Sequence, residues 1–248
     1  EDLLVLVEEP GARPADGFCG LYHAALLVPE RRDLALWLVH AARTRVVLTG
    51  LADHFVSEAA YLTDPDHHGI EIYWDRPRQV WAGLVAERMT TLPLDTDDLL
   101  RVIGDPKSAS FDGLAAGTRV GHVHLRVAEL DPALAFYRDA LGLALMARLG
   151  DRAAFLSAGG YHHHVGANTW ESAGAPPAPS GTATLRRATV VLPDPIARDR
   201  VAGQAARAAA RPELLDDDDG VLVRDPSGNP VALVAEPVRP ASAAPARR

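Results

Sequence analysis

One pattern recurs along the chain, and a repeat constrains the fold before any single element does. His23-Ala24-Ala25-Leu26-Leu27-Val28-Pro29 lines up with His122-Val123-His124-Leu125-Arg126-Val127-Ala128. Asp64-Pro65-Asp66 ahead of Ile70-Glu71-Ile72 lines up with Asp225-Pro226-Ser227 ahead of Val231-Ala232-Leu233. In the first copy, residues 21–29 alternate and stop at Pro29, as a strand does. Residues 31–43, with Leu34, Leu36, Trp37, Leu38 and His40, have helical spacing. Strands follow near 46–48, over 57–63 and over 69–73, giving the order β-α-β-β-β.

The second copy has a strand at 122–127 and a helix at 131–141. Asp131 is its N-cap, Pro132 its first residue and Gly142 its stop. Strands near 145–148, 153–157 and 161–168 complete the copy. A third runs from a strand at 188–193 through a helix at 196–210 to strands at 221–224 and 231–234. Ahead of the first copy, residues 3–9 read as a lone strand, so the chain looks truncated at its opening. The expected organisation is an N-terminal domain at 1–80, a linker at 81–118 with an acidic helix around 95–102, a C-terminal domain at 119–237, and a disordered tail at 238–248.

Bulk properties exclude several classes. The formal net charge of −8 gives no basic footprint for nucleic acid. No apolar run approaches the ~18 residues of a membrane span, and no signal peptide is evident. The single cysteine, Cys19, excludes an intramolecular disulfide and a cysteine-rich zinc site, which fits a reducing cytoplasm.

Strand alternation places the chemistry. His23, Ala25 and Leu27 share one face of the first strand, and Ala24, Leu26 and Val28 the other. Glu71 and Tyr73 share the cavity face of the last. An imidazole and a carboxylate converging in one trough are two thirds of a 2-His-1-carboxylate metal site. The plainer alternative pairs Glu71 with an Arg or Lys, or solvates it. In the second copy, His122 and His124 share a face; within the run His162-His163-His164, His162 and His164 share another and His163 takes the opposite one. These four make either an all-nitrogen metal site or a self-satisfied histidine cluster. His67 and His68, in the turn before Gly69, read as solvated loop residues.

The chain resembles the vicinal oxygen chelate superfamily of glyoxalases, bleomycin resistance proteins and extradiol dioxygenases, particularly its catechol-2,3-dioxygenase-like members. The resemblance rests on Gly20-Leu21-Tyr22-His23, Ser57-Glu58-Ala59, Gly69-Ile70-Glu71-Ile72-Tyr73 with Asp75-Arg76-Pro77, Gly121-His122-Val123-His124-Leu125, Phe136-Tyr137-Arg138-Asp139, and Gly159-Gly160-Tyr161-His162-His163-His164 with Asn168-Thr169-Trp170. It implies an α+β fold of repeated βαβββ units forming two half-barrel sheets flanked by helices. The units would pair as the opening fragment with 21–74 and as 120–170 with 186–235. The alternative pairs 21–74 with 120–170, surrounding one cation with His23, Glu71, His122 and one of His162 or His164.

By the same resemblance, His23 and Glu71 are metal ligands, with the third from His122, from water or from outside the chain. His54 is a proton shuttle and Tyr61 a substrate contact. Arg187 and Ala232 stand where a fourth unit's ligands would be, which excludes a site there. The implied activity is Fe(II)-dependent ring cleavage of a catechol-like substrate with O2, Mn, Ni or Zn being other candidate metals. A glyoxalase-like isomerase or lyase, or a non-enzymatic binding protein, are the alternatives. A homodimer is the expected assembly.

Overall fold

The computed structural model describes residues 2–208, 211–215 and 220–236. After a short β1 (Arg13–Pro14), the first unit comprises β2 (Gly20–Leu27), α1 (Arg31–Thr44), β3 (Leu48–Asp53), β4 (Ser57–Thr63) and β5 (Gly69–Asp75). The link holds α2 (Arg78–Trp81), α3 (Val85–Arg88), β6 (Leu92–Pro93) and α4 (Thr96–Arg101). The second unit is β7 (Arg119–Arg126), α5 (Leu130–Ala135) running into a π-helical turn (Phe136–Ala140), β8 (Ala144–Leu149), β9 (Ala153–Ser157) and β10 (Val165–Asn168). After β11 (Thr182–Ala183), the third contains β12 (Ala188–Leu192), α6 (Pro195–Arg207), β13 (Glu213–Leu214), β14 (Val221–Arg224) and β15 (Pro230–Ala235). The tail at 238–248 and the last two residues of the expected helix at 196–210 lie outside the described residues.

Local chemistry accounts for the helices. Asp33 accepts from the Glu30 N–H at 3.0 Å, closing the first turn of α1, and Arg45 ends it in the left-handed region at φ 58°. Leu34, Ala35, Trp37, Leu38 and Ala41 form its buried stripe against the sheet. In α6 the Asp194 carboxylate accepts from the Ala197 N–H at 2.7 Å, with Pro195 as the first helical residue.

The first two units share one nine-stranded sheet, ordered β6-β3-β4-β5-β2-β7-β10-β9-β8. β2 lies parallel to β5 on one side and antiparallel to β7 on the other. This corrects the expected pairing of units. The seam joins 21–74 to 120–170, and no edge of β2 is left for residues 3–9. Those residues form no strand, and Leu3, Leu4, Val5, Leu6 and Val7 are exposed. Their apolar pattern is strand-like, but the ladder they would join is occupied by β7.

The third unit forms its own four-stranded sheet, β12-β15-β14-β13. It packs through α6 and β15 onto the α5–π helix, in a core that includes Leu134, Tyr137, Val201, Ala205, Val231 and Leu233. Its turn is tied to the second unit by three hydrogen bonds: Tyr137 hydroxyl to Asp225 (3.0 Å), Ala128 N–H to Ser227 Oγ (2.9 Å) and Asn229 amide to the Arg126 carbonyl (3.1 Å). Helices therefore cover the convex side of the large sheet. Its concave side holds Ala25, Leu27, Ala59 and Tyr73, with Trp81 and Val85 of the link packed over Val56 and Phe155. No described helix is long and apolar enough to cross a membrane.

Candidate metal centre

Two irregularities in the β2–β7 ladder aim the side chains of the site. The register steps from Leu21↔Leu125 to His23↔His124, leaving Tyr22 as an extra residue, and from Ala25↔His122 to Leu26↔Val120, leaving Gly121 extra. Such bulges re-aim the residues around them. Tyr22 is thereby brought beside His23 and His124, with ring centroids 5.5 and 5.3 Å away. Two glycines permit the close approaches. A Cβ on Gly69 would lie 2.4 Å from the Tyr22 carbonyl oxygen and 2.8 Å from His23 Cβ. One on Gly121 would lie 1.8 Å from the Tyr73 hydroxyl.

At the seam, Glu71 Oε2 is 3.1 Å from His23 Nε2 and 3.0 Å from His122 Nε2, and the two nitrogens are 3.3 Å apart. All three residues are buried. Among the described residues, this is the group whose potential ligand atoms all lie within 4.8 Å of one another. Burial alone would raise the Glu71 carboxyl, but the His122 and His23 imidazoles hold it well below the usual carboxylate range. Burial lowers His122 to about 4, against the opposing pull of Glu71, so its imidazole is neutral at pH 7.

The triangle is unsatisfied by protons alone. If both Nε2 atoms carry hydrogen, two N–H groups oppose one another; if either does not, its lone pair faces a carboxylate oxygen. A divalent cation bound by all three atoms removes the conflict. With metal–ligand bonds of ~2.1 Å, donors at right angles sit ~3.0 Å apart, close to the three observed separations. The residues fit a metal.

Tyr61 stands directly opposite Glu71 in the β4–β5 ladder. Its hydroxyl lies 2.7 Å from His54 Nε2, and His54 Nδ1 lies 2.7 Å from the Thr90 carbonyl. The carbonyl can only accept, which assigns the proton to Nδ1 and leaves Nε2 to accept from Tyr61. Burial and Glu71 raise Tyr61 well above the usual phenol value.

The other histidines divide. His124 is opposite His23, buried, and its Nε2 has no hydrogen-bond partner. Burial keeps it neutral. His162 and His164 do not share a strand face, because β10 begins only at Val165. Gly159 and Gly160, at φ 63° and 66°, turn the chain just before the run. His162 instead bonds Asp75 Oδ1 at 2.7 Å and His163 Nδ1 at 2.8 Å, while His164 Nδ1 accepts from the Ala158 N–H at 3.2 Å. Neither joins the Glu71 group. His163, which face-counting placed away from the others, is the one against the centre, its ring 4.0 Å from that of His122. Burial lowers it well below the usual imidazole value. Asp75 continues the network through the Tyr161 hydroxyl (2.8 Å) to that of Tyr73 (2.8 Å). At the surface, His67 lies 2.8 Å from Asp16.

The family model for the Glyoxalase/Bleomycin resistance protein/Dioxygenase superfamily matches residues 119–233, the second and third units. A curated relative, "Catechol-2,3-dioxygenase" from Bacillus subtilis (strain 168), is 41% identical over 229 residues, covering 90% of this chain and 78% of that protein. The chain belongs to this superfamily. Among solved structures, a "putative dioxygenase" from Bacillus subtilis subsp. subtilis str. 168 superposes with a TM-score of 0.60 at 15% identity. That match covers 92% of this chain and 66% of the other, so the chain spans just under two thirds of that structure's length. The likeness shows the vicinal oxygen chelate fold. The seam between its units carries the His23–Glu71–His122 group.

Proposed function

We propose that this superfamily member is a metal-dependent extradiol dioxygenase that cleaves a catecholic ring with O2. The observation that carries the reading is the buried His23–Glu71–His122 triangle, a 2-His-1-carboxylate set drawn from two units. Its one carboxylate and two imidazoles suit Fe(II). When bound, the metal would supply Lewis acidity toward both catechol oxygens and an electron route to O2. The relative's printed name supports the same class.

The remaining groups have roles in this reading. Glu71 and the two imidazoles bind the cation. Tyr61, directly across from Glu71, accepts a hydrogen bond from a substrate hydroxyl, and its own proton is directed at His54 Nε2. A proton leaving the substrate therefore has a two-step path to an imidazole that reaches the outer edge of the site. His163, buried beside His122 and kept neutral by that burial, packs the opposite side of the site. The link residues Trp81 and Val85 pack over the concave face and exclude water there. The division at 80 and 119 marks the ends of repeat units that share one sheet.

Oxygen uptake by Fe(II)-reconstituted protein with catechol tests the reading. Stoichiometric O2 consumption with a yellow ring-opened product supports it. Binding of catechol without O2 consumption, together with hemithioacetal isomerisation, would transfer the protein to the glyoxalase class.

A further inference from the structure

One face of β7 carries three polar side chains in line: His122, His124 and Arg126. Leu125 and Val127, of the opposite parity, pack into the helix-side core, so these three share the concave side. His122 belongs to the metal centre. The other two have no place in it and are unusually placed for polar groups. His124 is 3% exposed and Arg126 7%. His124 Nε2 and Arg126 Nε are both buried without a hydrogen-bond partner. Arg126 Nε lies 3.2 Å from Glu171 Oε2 but off the hydrogen-bond direction, and the Glu171 side chain is 55% exposed. A buried guanidinium facing a solvated, poorly directed carboxylate is under-satisfied.

The surroundings are aromatic. The Tyr22 ring, turned inward by its bulge, lies 5.8 Å from the Arg126 guanidinium carbon and 5.3 Å from the rings of both His124 and Trp170. Trp170 is 37% exposed, so this end of the track meets solvent. At ~3.3 Å per residue, the Cα atoms of His122 and Arg126 are about 13 Å apart.

We propose that the His122–His124–Arg126 face is the substrate track, and that the substrate is a catechol with a carboxylate on the end remote from its two hydroxyls. Arg126 binds that carboxylate and displaces Glu171 toward solvent. His124, between the two ends, faces the aromatic ring of the bound molecule. The proposal rests on the dioxygenase reading, because the hydroxyl end is anchored at the metal.

The test uses Zn(II)-loaded protein under argon, where affinity is read without turnover. The probes are 3,4-dihydroxyphenylacetate and 4-methylcatechol, which differ in the anionic group. A charge-assisted bidentate contact predicts a preference for the acid of roughly 10- to 100-fold. In Arg126→Gln the ratio of the two affinities falls to about one, and Arg126→Lys retains part of it. Glu171→Gln, at the exposed partner, removes the internal competitor and strengthens binding of the acid severalfold; it also stands as the test if Arg126→Gln does not fold. Equal affinity of the wild type for both probes, or an unchanged ratio in Arg126→Gln, overturns the proposal while leaving the dioxygenase reading intact. Failure of both probes to bind overturns the two together.

Discussion

Replacing Gly121 with alanine reports on how tightly the seam is built. The added Cβ would sit 1.8 Å from the Tyr73 hydroxyl, 2.8 Å from its Cζ and 3.1 Å from Leu27 Cβ. Tyr73 cannot yield easily. It is fully buried, and its hydroxyl is 2.8 Å from that of Tyr161. Overpacking a filled core costs about 1–3 kcal/mol, and breaking a buried hydrogen bond adds about 1 kcal/mol. The expected loss is therefore about 2–4 kcal/mol, a fall in Tm of roughly 5–15 °C for a chain of this size. Because Gly121 precedes His122, metal affinity falls as well. Urea unfolding and a metal titration measure both effects. Tyr73→Phe in the same chain removes the atom at 1.8 Å, so the double variant recovers at least about 1 kcal/mol relative to the sum of the single changes. A Gly121→Ala protein within about 0.5 kcal/mol of wild type, or strict additivity, refutes the packing argument.

Acid weakens the metal-free fold. His122 titrates near 4 in the folded chain against 6.5 for a free imidazole. The unfolded chain takes up the extra proton between those values, so this stability is intact above pH 6.5 and is lost as pH falls toward 4. At pH 5 the loss from His122 alone is about 2 kcal/mol, and His124 and His163, also lowered by burial, shift stability the same way. Urea midpoints of chelator-treated protein that are higher at pH 5 than at pH 7 would contradict this. Tyr61→Phe should reduce kcat about 10²-fold, with metal content unchanged, because it removes the hydroxyl that links the substrate to His54. Metal loss in that variant would show that Tyr61 supports the centre instead of the proton path.

Much of this architecture is written in local pattern. Alternation over 69–73 put Glu71 and Tyr73 on one side, and the ladder keeps them there. Leu34, Trp37 and Leu38, read at helical spacing, lie on the buried face of α1 with Ala35 and Ala41, whereas Leu36 and His40 are only partly buried. Pairing between units is different in kind. Nothing near His23 states that β7 will lie beside β2, since that contact depends on edges distant in sequence, and so residues 3–9 read as a strand with no ladder to join. Bulges are equally silent: Tyr22 and Gly121 are irregular only relative to each other's strand. His163 falls on the wrong side when strand alternation is extended back to 161, because Gly159 and Gly160 turn the chain there and β10 begins only at Val165. Arg126 belongs to no motif of its own, although alternation places it two residues beyond His124 on the same strand face.

In this reading one divalent metal sits at the seam between the first two units. Elemental analysis of anaerobically purified protein, beside His23→Ala, Glu71→Ala and His122→Ala, tests it most directly. Near-stoichiometric metal is expected in the wild type, with its loss in all three variants, including His122→Ala from the neighbouring unit. Metal retained by His122→Ala, or by all three, would contradict a centre built across the β2–β7 seam.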